Sequence, residues 1–194
     1  MVAIGRVVRT EPLALGTTGV ELNEHGAIVI DERCATSDPR IFAAGEVTSG
    51  ASCAAVALAQ GRIAAENACG GDASMDAAFP SQAVWSDPGI AWCGLGEDAA
   101  AATGIDCQVT SMNWGASGFA LAMRCEEGRT KLVYDGESQL LLGVGIVGRG
   151  APELICEAAL ALEMGATLYD LATTLHPHPT RAELLSLAAR AALD

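Results

Sequence analysis

Two histidines near the carboxyl end of the chain carry the clearest chemical signal in the sequence. In the segment TLHPHPTRAELL, 174–185, His176 and His178 are each followed by a proline, and Glu183 follows five residues after His178. The whole chain has only three histidines, so this pair is a marked concentration. A histidine that donates one ring N–H to a carboxylate is held in one tautomer and can act through its other nitrogen as a general acid or base.

The prolines determine the expected backbone of this segment. A residue before proline is disfavoured in the helical region, so His176 and His178 are predicted to lie on an extended stretch with their side chains on one face. Pro177 and Pro179 also lack backbone N–H groups, which argues against an interior sheet strand. A metal site on the two histidines is disfavoured, because no third ligand lies nearby in the sequence.

Glu183 has two competing interpretations. The stretch TRAE, 180–183, fits a capping box, in which the Thr180 hydroxyl and the Glu183 carboxylate satisfy backbone N–H groups at the start of the last helix. In the alternative interpretation, Glu183 accepts a hydrogen bond from His178 and orients it as a general base. Local sequence alone leaves both interpretations open.

Composition and charge exclude several classes of protein. The formal net charge of -13 argues against binding to nucleic acid or to an anionic membrane surface. No apolar run approaches the roughly 20 residues that span a bilayer, and the N-terminal sequence MVAIGRVVRTEP lacks the layout of a signal peptide. We therefore expect a cytoplasmic protein. The seven cysteines include no CxxC or CxxxxC pair, so neither a zinc site nor a redox-active pair is predicted.

The pattern of apolar residues predicts two parts that meet near the small, polar stretch 70–82. In the first part we expect a hairpin over 20–31 that turns at Gly26, and, over 40–50, a short buried strand that ends in a small-residue loop. A helix is expected over about 53–69, and because it is apolar on nearly every face it is predicted to be buried between layers. A tight turn followed by a helix N-terminus often receives an anionic or electron-rich ligand group.

The second part is predicted to be an antiparallel sheet with flanking helices. Strands are expected over 105–114, 120–127 and 130–148, the last of which contains a hairpin turn at Asp135-Gly136. The helices are expected over 97–104 and 151–165, from near Thr167, and after Thr180.

Several long motifs occur in the order found in dihydrolipoamide dehydrogenases. They are VAIGRVVRT, GVELNEHGAIVIDERCATSDPRIFAAGEVTSG, QGRIAAENACGG, PGIAWCGLGE, GRTKLVYDGESQLLLGVGIVG, ELICEAALALEMG and LHPHPTRAE. Over nearly its whole length the chain therefore resembles the C-terminal part of these flavin-dependent pyridine nucleotide–disulfide oxidoreductases. The resemblance implies an α/β remnant of the FAD- and NAD-binding region over 1–75, followed by an α+β dimerisation (interface) domain over 76–194.

The resemblance also implies roles for individual residues. His178 matches the catalytic acid/base of the family, and Glu183 matches the carboxylate that orients it. Gly5 matches a glycine near the nicotinamide nucleotide, Glu46 stands where the family usually has an aspartate on the flavin ribityl chain, and Ala54 matches a residue whose backbone meets the flavin. In the family, the histidine of one subunit reaches the partner's flavin and disulfide and accepts a proton from the dithiol substrate. FAD and NAD are the implied cofactors.

The resemblance implies an oxidoreductase and leaves alternatives open. It predicts the C-terminal portion of a dihydrolipoamide dehydrogenase that oxidises protein-bound dihydrolipoyl groups with NAD⁺ and serves a lipoyl-bearing dehydrogenase complex. The portion would act as a homodimer or together with a full-length relative or an N-terminal fragment. Because the GxGxxG and CxxxxC motifs of the FAD domain are not in this sequence, the isolated chain is expected to be inactive. The alternatives are a freestanding, non-catalytic dimerisation module, or a glutathione-, mercury- or transhydrogenase-type reductase of the same superfamily.

Overall fold

The structure is a computed structural model of the 194-residue chain, and it describes residues 1–49, 53–76 and 79–194. The chain forms two compact units, Met1–Ala77 and Ala78–Asp194. The boundary between them falls in the small, polar stretch 70–82, where few side chains are large enough to build a core.

The first unit consists of turns, isolated bridges and one long helix. Two 3-10 helices come first, Glu11–Leu13 and Leu15–Thr17. The predicted long helix is confirmed as α1, Ala54–Ala68. It ends at Gly70, whose φ of 88° is the left-handed conformation that favours glycine at a helix end.

Two predicted strands of the first unit are reduced to single bridges. The predicted hairpin does reverse at Gly26, and one antiparallel bridge joins its two sides. The strand predicted over 40–50 is wrong in its described part, 40–49, because the chain turns at Gly45 (φ 88°) and leaves only single-residue bridges. Gly50 lies outside the described residues.

The prediction that α1 is buried between layers is wrong for the described chain. Only Gln60, Ile63 and Asn67 are buried, at helical spacing on one face, whereas Leu58 is 77% exposed. Two members of this stripe are polar, and their amide groups bind backbone groups of the neighbouring turns; for example, the Gln60 side chain accepts the Gly45 N–H at 2.8 Å. This helix is therefore held to the neighbouring turns by polar contacts rather than by a broad apolar face.

The second unit contains a five-stranded antiparallel sheet, which confirms the predicted fold class of this part. Its strands are β1 Gln82–Val84, β2 Ile90–Gly94, β3 Cys107–Asn113, β4 Arg129–Asp135 and β5 Leu141–Val147. Their order in the sheet is β1-β2-β5-β4-β3, with every neighbouring pair antiparallel. The predicted hairpin joins β4 to β5 directly after Asp135.

Helices accompany this sheet: α2 Glu97–Ala102, α3 Gly118–Ala122, α4 Ala151–Glu163, α5 Leu168–Thr173 and α6 Glu183–Leu193. The strand predicted over 120–127 is wrong, because α3 occupies its first part. The Ser117 hydroxyl accepts the Ala120 N–H at 3.4 Å and caps this helix. A serine in the N-cap position is a helix-start signal, and here it outweighs the alternating pattern.

The main core lies between the sheet and the last three helices. Helix α4 packs on β2 and β5, and α6 packs on β3 and β4. The inward side of α4 is formed by Ala151, Ile155, Ala158 and Leu162. Since these residues are spaced three or four apart, they form one apolar stripe on the helix. Helix α6, which follows the histidine segment, is thus held against the sheet, and α5, which precedes the segment, packs on α6.

Candidate functional site

The two histidines lie on the segment 174–182, which connects α5 to α6. At its start, the Thr174 hydroxyl donates to the Asp170 carbonyl at 2.7 Å. Near its end, the Arg181 guanidinium donates to the Arg149 carbonyl, in the loop before α4. The segment is therefore fixed to the folded unit at both ends, although it belongs to no helix or strand.

His178 and Glu183 form a hydrogen-bonded pair at the surface. His178 Nδ1 is 2.8 Å from Glu183 Oε1, and the histidine side chain is 82% exposed. The second carboxylate oxygen accepts the Thr180 N–H at 2.7 Å. Two hydrogen bonds hold the pKa of Glu183 below its usual value: the larger effect comes from the Thr180 N–H, and the smaller one from the His178 ring. An ionised Glu183 accepts from Nδ1–H, which leaves Nε2 available for proton transfer.

The Glu183 carboxylate makes both contacts that the sequence left open. One oxygen faces the His178 ring, and the other binds a backbone N–H at the start of the helix. The full capping box predicted over 180–183 does not form, because Ala182 and not Thr180 is in the cap position of the helix; the Thr180 hydroxyl donates to the Pro177 carbonyl at 2.8 Å. Helix α6 begins at Glu183 itself, with Ala182 in the cap position.

His176 lies in a different environment from His178. Its side chain is only 7% exposed, with Nε2 2.6 Å from Glu157 Oε1 on α4 and Nδ1 3.1 Å from the Thr174 carbonyl oxygen. The prediction that the two histidines present one face is wrong, because the chain bends at His178 and each ring binds a different helix. Sequence reasoning missed Glu157, which stands 19 positions before His176 on a separate element.

The three predicted cofactor positions lie in the first unit and are all exposed. Gly5 has a φ of 150°, and a Cβ added to it would meet open space. Both oxygens of Glu46 accept from Arg6 Nη1, at 2.5 and 2.7 Å, so the residue after Gly5 contacts Glu46. Ala54 is the first residue of α1. Residues 50–52 of the predicted tight turn lie outside the described residues.

The chemistry of these positions fits a cofactor that carries hydroxyl groups and a ring with electron-rich oxygen or nitrogen atoms. A carboxylate oxygen has two lone pairs, so Glu46 can accept from a hydroxyl group while it binds Arg6. The first N–H groups of an α-helix have no partner within the helix, and they favour negative or electron-rich groups. Ala54 presents such N–H groups at the start of α1, and its small, exposed side chain leaves them accessible.

All seven cysteines are free thiols. Burial raises the pKa of Cys93 to about 12, so this thiol is not a nucleophile at neutral pH. Within 1–49, 53–76 and 79–194, no three His, Cys, Asp or Glu side chains are grouped to hold a metal ion. In the same ranges, no helix has the length and apolar character needed to cross a membrane.

We expect Glu183→Gln to lower the stability of the chain at neutral pH but not at acidic pH. The folded-state pKa of Glu183 is depressed, so its ionised form stabilises the fold above the usual carboxyl pKa. This contribution is lost as the pH falls through the folded-state value. The urea midpoint of the wild type should therefore exceed that of the variant at neutral pH, and the two should converge on acidification.

Glu127→Gln is the control for this comparison, because Glu127 is exposed in the turn before β4. Its effect on the urea midpoint should be the same at both pH values. A Glu183→Gln effect that did not depend on pH would show that the ionised carboxylate does not stabilise the segment.

The solved structures that this fold resembles include a flavoprotein disulfide reductase. The HOCl-induced flavoprotein disulfide reductase RclA from Escherichia coli matches with a TM-score of 0.87 and 28% identity, over 97% of this chain and 44% of that one. LpdA from Mycobacterium tuberculosis matches with a TM-score of 0.87 and 27% identity, over 97% of this chain and 41% of that one.

The family follows from sequence models as well. The model for the dimerisation domain of pyridine nucleotide-disulphide oxidoreductases matches residues 80–189, more than half of the chain. A second model, described as pyridine nucleotide-disulphide oxidoreductase, matches residues 1–61. The chain belongs to the pyridine nucleotide-disulphide oxidoreductase family and carries its dimerisation domain.

Curated relatives narrow the resemblance. A dihydrolipoyl dehydrogenase from Thermus scotoductus is 46% identical over 191 residues, which are 98% of this chain and 41% of the relative. A dihydrolipoyl dehydrogenase from Halobacterium salinarum is 42% identical over 193 residues, again 41% of its own length. The chain thus spans about two fifths of the relatives that it matches.

Proposed function

We propose that the chain is the C-terminal portion of a flavin-dependent dihydrolipoamide dehydrogenase that oxidises protein-bound dihydrolipoyl groups with NAD⁺. The observation that carries this proposal is the His178–Glu183 pair, in which a carboxylate orients an exposed imidazole. The names of the relatives support the choice of substrate and cofactor. The proposed domain identities are the end of the NAD domain and the last FAD-domain segment over 1–75, and the dimerisation domain over 76–194.

In this proposal His178 is the acid/base group. Its free Nε2 accepts the proton of a substrate thiol, and the ionised Glu183 stabilises the resulting imidazolium through Nδ1–H. Because a thiolate rather than a thiol attacks a disulfide, this proton transfer makes the substrate reactive. The substrate thiolate would attack a disulfide. That disulfide would lie in a region that the relatives contain outside the part that this chain matches. The high exposure of His178 suits a group that reaches a substrate in another subunit.

Gly5, Glu46 and Ala54 would hold the cofactors. Gly5 would lie near the nicotinamide nucleotide, Glu46 would accept from a ribityl hydroxyl of FAD, and the backbone at Ala54 would meet the flavin ring. When bound, FAD supplies the acceptor for the electron pair of the dithiol, and NAD⁺ receives that pair as a hydride. The open space at Gly5 and the first N–H groups of α1, which have no partner within the helix, support these roles.

The chain is proposed to form a homodimer through its second unit. Cys156, Leu160 and Met164 follow one another at four-residue spacing on the exposed side of α4, where Leu160 is 62% and Met164 76% exposed. An exposed apolar stripe of this kind marks an interaction surface. A full-length relative or an N-terminal fragment is the other proposed partner. Association with a lipoyl-bearing complex rests on the names of the relatives alone, and a cytoplasmic location stays a prediction.

Two alternatives have specific support. A non-catalytic dimerisation module is favoured by the dimerisation-domain model, which matches residues 80–189, more than half of the chain. A different reductase of the superfamily is favoured by the similarity to RclA, which is described as a flavoprotein disulfide reductase and not as a dihydrolipoyl dehydrogenase.

Flavin retention and oligomeric state distinguish the enzyme portion from the module. The purified chain is mixed with FAD, passed through gel filtration with light scattering, and examined by visible absorption. As part of a flavoenzyme, the chain should elute as a dimer that retains a flavin band, and Glu46→Ala should weaken the band. Glu21→Ala, at an exposed position of the same unit, is the control and should leave it unchanged. A colourless dimer would favour the module, and a colourless monomer would contradict both proposals.

A further inference from the structure

A second histidine–glutamate pair lies next to the proposed acid/base pair. His176 and Glu157 are joined by the 2.6 Å contact between Nε2 and Oε1. A small cavity of about 100 Å³ is lined by His176 on one side and by Glu183 on the other. The two pairs are therefore neighbours in space, although their carboxylates come from different helices.

Both ring nitrogens of His176 face acceptors. Nε2 faces the Glu157 carboxylate, and Nδ1 faces the Thr174 carbonyl oxygen at 3.1 Å. A hydrogen bond from an imidazole to a carboxylate is charge-assisted, and it is stronger than a hydrogen bond between two neutral groups. The ring is 7% exposed, so water competes little for these bonds.

Glu157 lies on a helix that is held firmly in the core of the second unit. It lies on α4, whose inward stripe packs on β2 and β5 in the core of the unit. A hydrogen bond from the histidine segment to this helix therefore connects the segment to the sheet. The other end of the segment is connected to α6 through Glu183.

The short chain between the two histidines makes the position of His178 depend on that of His176. Only Pro177 separates His176 from His178, and the proline ring restricts its own φ to a narrow range. The Pro177 carbonyl in turn accepts the Thr180 hydroxyl at 2.8 Å. A histidine held at 176 thus limits where the backbone at His178 can lie.

We propose that His176 and Glu157 are positioning residues for His178: they anchor the segment between α5 and α6 to α4, so that the His178 ring stays in register with Glu183. This inference rests on the proposed acid/base role of His178. His176 touches no reacting atom in this scheme. Instead it reduces the freedom of the loop on which the reacting imidazole stands, and a misplacement of about 1 Å at a catalytic group can cost about 10²-fold in rate.

Glu157→Leu tests the anchor, because leucine keeps the side-chain bulk at a partly exposed helix position and removes the acceptor. In the complete flavoprotein that contains this chain, we expect kcat and kcat/KM for the dithiol to fall together by about tenfold. Glu157→Gln keeps an acceptor oxygen and should restore most of this activity. Glu153→Leu is the matched control on the same helix, at an exposed position, and should leave activity unchanged.

Histidine NMR tests directly whether Glu157 positions His178. If Glu157 only stabilised the fold, its replacement would leave the His178 signal unchanged. The chain has only three histidines, so the ring Cε1–H signals of His178, His176 and His25 are easily assigned. Glu157→Leu should shift or broaden the His178 signal as well as that of His176, and Glu153→Leu should move neither. In the wild type, the His176 ring should lie against the Glu157 side chain, and nuclear Overhauser contacts between the two can be measured whether or not any variant folds.

The outcomes separate the anchor from the proposed function. If His178→Gln lowers dithiol oxidation and Glu157→Leu leaves both kcat and the His178 signal unchanged, the anchor is wrong and the acid/base role stands. If His178→Gln itself has no effect, the proposed function fails first. A wild-type His176 ring without such contacts to the Glu157 side chain would overturn the anchor.

Discussion

His178→Gln is expected to lower dithiol oxidation by at least about 10²-fold in the complete flavoprotein that contains this chain, the scale of a lost general acid/base. Glutamine keeps a polar group of similar reach, but it cannot accept a proton from a thiol. The substrate would then have to lose its proton to water before it attacked the disulfide. The loss should appear equally in kcat and kcat/KM, since the proton moves in the reaction and not in binding.

The measurement is NAD⁺-linked oxidation of a dithiol substrate under steady-state conditions. Reduction of the flavin by NADH needs no thiol proton, so this half of the reaction should continue in the variant and show that the protein is intact. His25→Gln is the matched control, because His25 is an exposed histidine of the first unit and should leave both reactions unchanged. Activity of His178→Gln within about twofold of the wild type would remove His178 from the proposed role.

Trp114→Ala is expected to destabilise the second unit by about 3–5 kcal/mol, the usual cost of removing a buried tryptophan. The Trp114 side chain is fully buried, and its indole N–H donates to the Thr130 hydroxyl at 3.0 Å. Gly128 and Gly148 approach the ring so closely that neither position has room for a Cβ. The substitution would therefore leave a cavity that these two backbone segments cannot readily close.

Urea denaturation of the chain measures this effect, and Trp85→Ala is the matched control. Trp85 is 82% exposed, so its replacement should change the free energy of unfolding by no more than about 0.5 kcal/mol. Domains of this size are stable by only about 5–15 kcal/mol, so the loss at Trp114 should be a large share of the total. A Trp114→Ala loss below about 1 kcal/mol would mean that the core closes over the missing ring.

Local rules predicted the elements whose ends are marked by short motifs. Gly70 ends α1, Gly104 follows α2, and the Asp135-Gly136 pair starts the β4–β5 turn. These predictions hold because a left-handed glycine or a turn pair acts within a few residues of its own position.

Elements that depend on what packs against them were predicted poorly. The apolar run over 40–49 looks like a buried strand, but Gly45 turns the chain and no sheet forms there. The alternation over 120–127 looks like a strand, but the Ser117 cap starts α3. Strand propensity is decided mostly by neighbouring strands, which no single stretch of sequence reveals.

Helix caps were also predicted correctly at one position and only partly at another. A capping box does form at Thr167 and Asp170, where each side chain bonds the backbone N–H of the other. The similar pattern over 180–183 forms only half of one: Glu183 accepts the Thr180 N–H, but the helix begins at Glu183, with Ala182 and not Thr180 in the cap position. The residue at which a helix begins depends on the backbone that folds beside it.

The sequence by itself determined the chemical types at the candidate site: a rare pair of histidines on a proline-spaced segment, with a carboxylate five residues away, within reach of one loop. The tertiary structure determined which carboxylate each histidine binds. His178 remains at the surface with Glu183, and His176 turns inward to Glu157 on a helix 19 positions earlier. A contact between nearby residues on one loop follows from chain geometry, whereas a contact between distant helices exists only after the sheet has placed them side by side.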